Sequence, residues 1–121
     1  MKKIALIVPC FNEVENIDIF CTEAFAVLDT LKNYHTEILF IDDGSSDDTD
    51  IKIQLVAENV EYKIQKNKEM NSRVKFLIFG RNAGKELAVS AGLHNTDADA
   101  IIIVDSDLQY PLEKIPEFVE K

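Results

Sequence analysis

The sequence predicts an α/β fold in which a Rossmann-like, mostly parallel sheet is flanked by helices. Two observations carry this prediction. Four short apolar runs, at positions 4–8, 37–41, 74–79 and 100–104, alternate with segments that have helical periodicity or polar character. Each run also leads directly into a polar segment that contains glycine or proline. Such alternation is typical of parallel sheets with right-handed crossovers.

The first predicted strand ends at a proline. "IALIV" (4–8) is apolar throughout, as in a strand buried on both faces, and Pro9 follows it. From Val14 to Leu31, apolar residues recur in steps of three and four, which predicts a helix of about four turns. Asn12 stands where a side chain can cap that helix.

The second strand, "EILFI" (37–41), runs into the polar loop "DDGSSDDT" (42–49). Serine and aspartate side chains of this loop can cap a second helix, which we expect to begin near Asp48. "YKIQKNKEMNS" (62–72) is polar and weakly periodic, so it is either an extension of that helix or a surface excursion.

The second half of the chain repeats the pattern. "VKFLIF" (74–79) is the third strand, residues 84–94 form a short helix, and "AIIIV" (100–104) is the fourth strand. Apolar residues between 112 and 119 start a last helix. We therefore expect residues 1–121 to form a single domain.

Composition excludes several classes of function. Hydrophobic residues make up 46% of the chain, enough for a core, and the net charge of -9 argues against nucleic-acid binding. No segment reaches the roughly 18 apolar residues of a membrane span. Cys10 and Cys21 lie in apolar surroundings and are interpreted as core residues of a reduced, cytoplasmic protein. His35 and His94 lack metal-ligand spacing and are interpreted as non-catalytic.

Ligands of open parallel sheets bind outside the carboxyl ends of the strands. We number the segments that follow the four strands as the first to fourth exits: "PCFNE" (9–13), "DDGSSDDT" (42–49), "GRNAGK" (80–85) and "DSDLQYP" (105–111). All four are rich in polar or charged residues, which predicts a ligand site at this edge.

The fourth exit carries two carboxylates one residue apart. Asp105 and Asp107 should point to the same side of an extended backbone. Their mutual repulsion favours a cation between them, and hard oxygen ligands suit Mg²⁺ or Mn²⁺. Gln109 can supply another oxygen. The alternative is a solvated acidic turn that caps the last helix.

The second and third exits could bind the organic and anionic parts of a ligand. Asp42 and Asp43 could accept hydrogen bonds from ribose hydroxyls or a base N–H, although the same loop also suits helix capping. Arg81 and Lys85, before a helix N-terminus, form a candidate anion site, or else ordinary surface charges. Glu13 could be a plain first-turn acid.

Together, the four exits resemble the family 2 glycosyltransferases of the GT-A fold. The resemblance is greatest to the polyprenyl-phosphate branch, which includes dolichol-phosphate mannose synthases and bactoprenol glucosyltransferases. The matching segments cover nearly the whole chain in the family's order: "VPCFNEVEN" (8–16), "IDDGSSDDT" (41–49), "GRNAGKELAVSAGL" (80–93) and "VDSDLQYP" (104–111).

The resemblance implies a nucleoside-diphosphate-sugar donor, with UDP and GDP both open, bound across the strand ends. It favours Asp43 as the contact to the base. Catalytic roles are implied for Asp107, Arg81 and Lys85, and a divalent metal, Mg²⁺ or Mn²⁺, for Asp105, Asp107 and Gln109. The residues implied to line the donor are Pro9, Phe11, Glu13, Asp42, Asp43, Asn82, Gly84, Lys85, Asp105, Ser106 and Asp107.

The implied reaction is an inverting displacement assisted by the metal. A polyprenyl phosphate acceptor is largely ionised near neutral pH, because its second pKa is about 6, and it needs cations more than a general base. The alternative acceptor is a saccharide hydroxyl, in cell-wall or surface polysaccharide synthesis, which would need a carboxylate base.

The family's acceptor half begins where this chain stops. We therefore expect an N-terminal, donor-binding part of a longer enzyme, inactive by itself, with the full-length protein at the cytoplasmic face of the membrane. Membrane anchoring and homo-oligomerisation stay open. The segment 62–72 looks like an insertion of about ten residues relative to the family pattern.

Two rival classes fit the motifs less well. A receiver-type phosphoacceptor module would need acids after the first strand and an aspartate after the third, where this chain has "PCFNE" and "GRNAGK". A sugar-nucleotide pyrophosphorylase would need a glycine-rich loop directly after the first strand.

Overall fold

The computed structural model describes residues 2–67, 71–107 and 111–119. Its elements are β1 (Lys2–Cys10), α1 (Ile17–Leu28), β2 (Tyr34–Asp42), α2 (Thr49–Lys66), β3 (Ser72–Ile78), α3 (Lys85–His94), β4 (Ala100–Ile103) and a 3₁₀ turn (Leu112–Lys114) that leads into α4 (Ile115–Val119). The strands pair in parallel in the order β3-β2-β1-β4. The predicted α/β fold is confirmed.

Helices lie on both faces of the sheet and bury β1 and β2, which explains the continuous apolar runs of these central strands, whereas the edge strands β3 and β4 are largely exposed. The larger core packs α1, α2 and the segment that leads into α4 against one face, where Phe20 and Phe40 meet edge to face. On the opposite face α3 lies very close to the sheet. A Cβ on Gly92 would stand 2.7 Å from Cγ2 of Ile7 and 2.9 Å from Cδ1 of Ile41, so this contact requires glycine.

The first helix is shorter than its apolar periodicity predicts. It begins at Ile17 rather than Val14, and it ends at Leu28 although Leu31 is still buried in the core. The backbone N–H of Val14 donates to the side chain of Asp47 in the second exit, 3.4 Å away, which favours a turn over a helical start. The apolar periodicity continues to Leu31 because this residue, in the turn after α1, is still packed in the core.

The second helix shows which of the two structures predicted for segment 62–72 is present. It continues to Lys66, so the first part of that segment is a helical extension. Residues 68–70 of that segment lie outside the described part of the chain, and its status as an insertion stays a prediction. None of the described helices is long and apolar enough to cross a membrane.

The strand register brings the exits together at one edge. Cys10 of β1 lies opposite Asp42 of β2, which in turn lies opposite Ile78 of β3. On the other side of β1, Ile7 lies opposite Ile103 of β4. From one side of the sheet to the other, the exits therefore follow the order third, second, first, fourth.

Candidate active site

Hydrogen bonds of Asn12 connect the first exit to the second. Its side-chain oxygen accepts hydrogen bonds from the backbone N–H groups of Ser46 (2.9 Å) and Asp47 (3.3 Å). The backbone N–H of Asn12 donates a hydrogen bond to Oγ of Ser45 (2.8 Å). Asn12 has a φ of 54°, a left-handed conformation that asparagine tolerates better than most residues. The prediction that Asn12 caps α1 is wrong, because Asn16 occupies the N-cap position.

Glu13 lies at the entry to α1. Its N–H donates to Oγ1 of Thr49 (2.9 Å), and its carboxylate accepts a hydrogen bond from the side-chain amide of Asn16 (2.7 Å). The interpretation of Glu13 as a first-turn acid is wrong, because Glu13 precedes the N-cap Asn16 and the acid in the first turn of α1 is Asp18. Pro9 is buried in β1, whereas Phe11 is 46% exposed beside the loop.

Asp42 is buried at the end of β2, with 1% of the residue exposed. Its Oδ1 accepts hydrogen bonds from the backbone N–H of Ser45 (3.2 Å) and from the Ser45 hydroxyl. Burial raises the pKa of Asp42 above its usual range, and the bonds from Ser45 offset part of that rise. The pair forms a tight turn at the start of the second exit.

Asp43 faces the third exit instead. Its Oδ1 accepts the N–H of Ala83 at 2.7 Å, and its Oδ2 accepts the N–H of Gly84 at 3.0 Å and the side-chain amide of Asn82 at 3.1 Å. Asp43 is 5% exposed. Its assignment to the nucleotide base stays a prediction, and the structure gives its carboxylate three partners within the protein.

The third and fourth exits meet through an exposed ion pair. Nζ of Lys85, the first residue of α3, lies 2.7 Å from Oδ1 of Asp105, and the two side chains are 61% and 50% exposed. Arg81 is also exposed, beside a shallow groove lined by Phe79 and Leu87. Positive charge therefore lies next to Asp105, the first carboxylate of the fourth exit.

The fourth exit turns after β4 where the sequence predicted an extended backbone, because the strand ends at Ile103 and a turn begins at Ser106. Asp105 and Asp107 are exposed, whereas Ser106 between them is buried and has no strong hydrogen-bond partner among the described residues. The weakly polar thiol of Cys10 is its neighbour. That the two carboxylates point towards one side stays a prediction, and Gln109 lies outside the described residues.

The described residues contain no cluster of three or more histidine, cysteine, aspartate or glutamate side chains arranged around a metal position. Asp105 and Asp107 are the carboxylates that the fourth exit offers. The cysteines offer no nucleophile, because burial raises the pKa of both Cys10 and Cys21 to about 12. Both are free and buried, as predicted for core residues.

Sequence reasoning missed how the exits are held together. Residues of the second exit were assigned to capping α2, whereas several of them also bind the first exit, as Ser45 does with Asn12. These partners lie more than thirty residues apart in sequence, at separations such as 33 for that pair. Local spacing contains no signal for such contacts beyond the abundance of serine and aspartate in the loop.

Comparison with known proteins identifies a family. A family described as "Glycosyl transferase family 2" matches residues 5–121. A bactoprenol glucosyl transferase of Shigella phage SfX is 44% identical over 119 residues, which cover 98% of this chain and 35% of that protein. An undecaprenyl-phosphate 4-deoxy-4-formamido-L-arabinose transferase of Salmonella paratyphi A is 33% identical over 121 residues, covering 100% and 34%. The chain spans about a third of the length of the curated relatives it matches.

Solved structures agree on the fold. The mannosyltransferase PcManGT from Pyrobaculum calidifontis, in complex with GDP-Man and Mn²⁺, has a TM-score of 0.57 and 19% identity over 92% of this chain and 29% of its own. S. aureus TarS 1-349 has a TM-score of 0.59 and 22% identity over 99% of this chain and 31% of its own. Both support the GT-A fold. Because the family match extends over almost the whole sequence, the chain belongs to glycosyl transferase family 2.

Proposed function

We propose that this chain is the donor-binding part of an inverting glycosyltransferase that moves a sugar from a nucleoside diphosphate to a polyprenyl phosphate. The names of two relatives, a bactoprenol glucosyl transferase and an undecaprenyl-phosphate transferase, support the acceptor class. GDP-Man in one structural neighbour and UDP-GlcNAc in another support a nucleotide-sugar donor. The full-length protein would act at the cytoplasmic face of a membrane, where its lipid acceptor lies.

The observation that carries the proposal is the arrangement of charge at one sheet edge. Asp105, one of two exposed carboxylates of the fourth exit, lies 2.7 Å from the ammonium group of Lys85, and Asp107 follows it two residues along the chain. The carboxylates could bind a divalent cation, and the ammonium group could contact the diphosphate of a donor. The neighbouring exits are already fixed by hydrogen bonds, so binding would cost little ordering of the backbone.

The fourth exit fits a hard divalent cation. Mg²⁺ and Mn²⁺ favour carboxylate oxygen ligands, and Mg²⁺ usually keeps several waters and takes substrate phosphates as further ligands. Asp105 and Asp107 would hold the ion, with Gln109 as a further candidate. Such an ion supplies positive charge for the nucleoside diphosphate as the glycosidic bond breaks.

The first and second exits would receive the nucleoside. Phe11 is exposed beside them and offers an aromatic surface to a base, with Pro9 and Glu13 close by in sequence. Asp42 and Asp43 are assigned to the base or ribose on the family pattern, with Asp43 favoured as the contact to the base. Arg81 and Lys85 would lie along the donor's sugar and phosphates and would also hold the acceptor phosphate, whose ionised oxygen can attack without a general base.

Isothermal titration calorimetry of the 121-residue chain with UDP and GDP tests the proposal. We expect binding that depends on Mn²⁺ or Mg²⁺ and falls by about 100-fold or more in Asp105→Ala and Asp107→Ala, because each substitution removes a proposed metal ligand. Asp29→Ala removes an exposed carboxylate after α1, away from the exits, and should bind like the wild type. A folded wild-type chain that binds neither nucleotide, with or without metal, would refute the proposal.

A further inference from the structure

We propose that the outer face of α2 is an interface at which two copies of this chain associate, with the two α2 helices antiparallel. Three apolar side chains, Ile51, Leu55 and Tyr62, form the middle of this face. Two charged residues, Asp48 and Lys66, lie at its ends. We call these five residues the α2 stripe. The inference does not depend on the proposed function.

The apolar side chains of the stripe are exposed on the side of α2 that faces away from the core. Ile51, Leu55 and Tyr62 are 52%, 50% and 61% exposed. They follow one another after four and seven residues, so they lie along one line of the helix. The opposite side of α2 is buried and carries Thr49, Ile53, Val56 and Val60. Single exposed apolar side chains are common, whereas an aligned row over about three turns indicates a contact surface.

Opposite charges lie at the two ends of the same line. Asp48 is the N-cap of α2 and Lys66 is the last residue of the helix, so about five whole turns separate them. Both are exposed, and the Asp48 side chain makes no cap hydrogen bond. Nζ of Lys66 lies 5.5 Å from the centre of the Tyr62 ring, which keeps this charge at the stripe. The helix dipole also favours an acid and a base at these ends, but it does not require them to be aligned with the apolar row.

A second copy in the antiparallel orientation matches the stripe at both ends. Two-fold symmetry would place Asp48 of each copy opposite Lys66 of the other. It would also place Ile51 opposite Tyr62, with Leu55 meeting its own copy near the symmetry axis. A parallel pair would instead bring like charges together at both ends, which is costly. The charges of the stripe therefore favour a second copy, and they favour one orientation of it.

An anionic lipid surface matches the stripe less well. Such a surface would attract Lys66, but it would repel Asp48 and the exposed Glu58 beside the apolar row. The net charge of the chain, -9, opposes it as well. A partner that offers both signs of charge and an apolar centre fits better, and the chain itself has this composition along α2.

The expected interface is small. An 18-residue helix is about 27 Å long, and two such helices in contact bury less than the roughly 1,600 Å² of a standard interface. Glu58 of the two copies would also lie near each other beside the symmetry axis, and their repulsion weakens the pairing. We therefore expect a weak dimer with a dissociation constant of about 100 µM.

Sedimentation equilibrium of the 121-residue chain between about 10 µM and about 1 mM measures this association. The wild type should shift from 13.7 kDa towards twice that mass. Leu55→Glu should weaken the dimer at least about tenfold, and Glu58→Gln should strengthen it about threefold. The matched control is Leu93→Glu, at a similarly exposed leucine of α3 on the opposite face of the sheet, which should associate like the wild type. Circular dichroism checks that each variant is folded.

An exchange of charges between copies tests the orientation. Asp48→Lys and Lys66→Asp should each weaken self-association about tenfold, because like charges then lie opposite each other at both ends. An equimolar mixture of the two variants should associate about as tightly as the wild type, since each mixed pair has opposite charges at both ends again.

The contrary outcomes are distinct. A wild-type chain that stays at 13.7 kDa up to about 1 mM would overturn the proposal, whether or not it binds vesicles of anionic phospholipid. A dimer that persists unchanged in Leu55→Glu would place the interface elsewhere and overturn it too. A mixture of Asp48→Lys and Lys66→Asp that associates no better than either variant alone would contradict the antiparallel arrangement. None of these measurements uses a nucleotide, so their failure is distinguishable from a failure of the proposed function.

Discussion

The second and fourth exits each carry two carboxylates, yet the protein holds them in opposite ways. Asp42 and Asp43 are almost fully buried, and each accepts hydrogen bonds from neighbouring backbone N–H groups. Asp105 and Asp107 are exposed, and the bond between Asp105 and Lys85 joins two solvent-accessible side chains. Aspartate side chains therefore stabilise the loops through hydrogen bonds in the second exit, whereas in the fourth exit they are exposed to solvent.

The difference follows from where each pair lies. Asp42 ends β2 and its side chain turns towards Ser45, while the next side chain, that of Asp43, turns towards the third exit. Asp105 and Asp107 lie beyond the end of β4, where the chain turns and both side chains are exposed to solvent. A buried carboxylate must be satisfied by the protein, because its desolvation is costly. An exposed pair keeps its capacity for a cation.

The largest expected effect comes from breaking the contact between the second and third exits. Gly44→Ala should lower the free energy of unfolding by about 3 kcal/mol, because the methyl group meets backbone atoms and the residue must keep a positive φ. Urea denaturation followed by circular dichroism measures this loss. The result would show how strongly the buried exit depends on that contact.

Two other glycines separate the steric clash of a Cβ from the strain of a positive φ. Gly84 has a φ of +99°, but a Cβ there would meet no other part of the described chain within 4 Å. Gly84→Ala should therefore cost only the backbone strain, about 1 to 2 kcal/mol. Gly80 has neither constraint, and Gly80→Ala should stay within about 0.5 kcal/mol of the wild type. Equal losses at Gly44 and Gly84 would mean that the close contact contributes nothing.

The fold was predictable because the two central strands, β1 and β2, are buried on both faces. Runs such as "IALIV" and "EILFI" follow directly from that burial, and the exits then fall at one edge by parallel topology. The start of α1 was not predictable in the same way. The N–H groups of Glu13 and Val14 bind side chains of the second exit, 36 and 33 residues away, so the local periodicity contains no sign of them.

The sequence predicted which segments form the candidate site, but it did not predict the contacts between them. The sequence predicted an extended backbone around Ser106, whereas the strand ends at Ile103 and Ser106 begins a turn. The partners of Asp43 lie 39 to 41 residues further along the chain, at distances that no motif encodes. Pattern alone therefore could not show that this carboxylate holds a loop.

A smaller effect is expected at the exposed exit. Lys85→Met should change the free energy of unfolding by less than about 0.5 kcal/mol, because its ion pair with Asp105 is exposed to solvent. Nucleotide affinity should nevertheless fall about tenfold, or about 1.4 kcal/mol, through loss of a cation beside the diphosphate. Calorimetry and urea denaturation of the same variant measure the two quantities.

The matched control is another exposed ion pair. Lys52 lies 2.8 Å from Asp18, between α2 and α1, and Lys52→Met should leave both stability and nucleotide affinity close to the wild type. If Lys85→Met destabilised the fold by several kcal/mol while affinity stayed unchanged, the fourth exit would be structural after all, and the contrast between the two exits would disappear.

The smallest expected effect is the titration of Asp42. Burial holds its pKa above the usual aspartate value of about 3.9, so the folded chain takes up this proton at a higher pH than the unfolded chain does. The stability that Asp42 contributes is therefore complete below the unfolded pKa and is lost as pH rises through the folded pKa. Asp42→Asn should remove this component from urea denaturation measured across the acidic range.

Asp97 provides a comparison, because its pKa is shifted in the opposite direction. An NMR titration of the side-chain carboxyl carbons measures the pKa values of both residues. Its hydrogen bond with Lys3, 2.7 Å long, lowers its pKa, so the Asp97 carboxyl should titrate below the usual range while Asp42 titrates above it. The two shifts arise from different causes, burial in one case and an exposed cation in the other. If Asp42 titrated at or below Asp97, the second exit would be open to water, and its carboxylates would be as available to a ligand as those of the fourth.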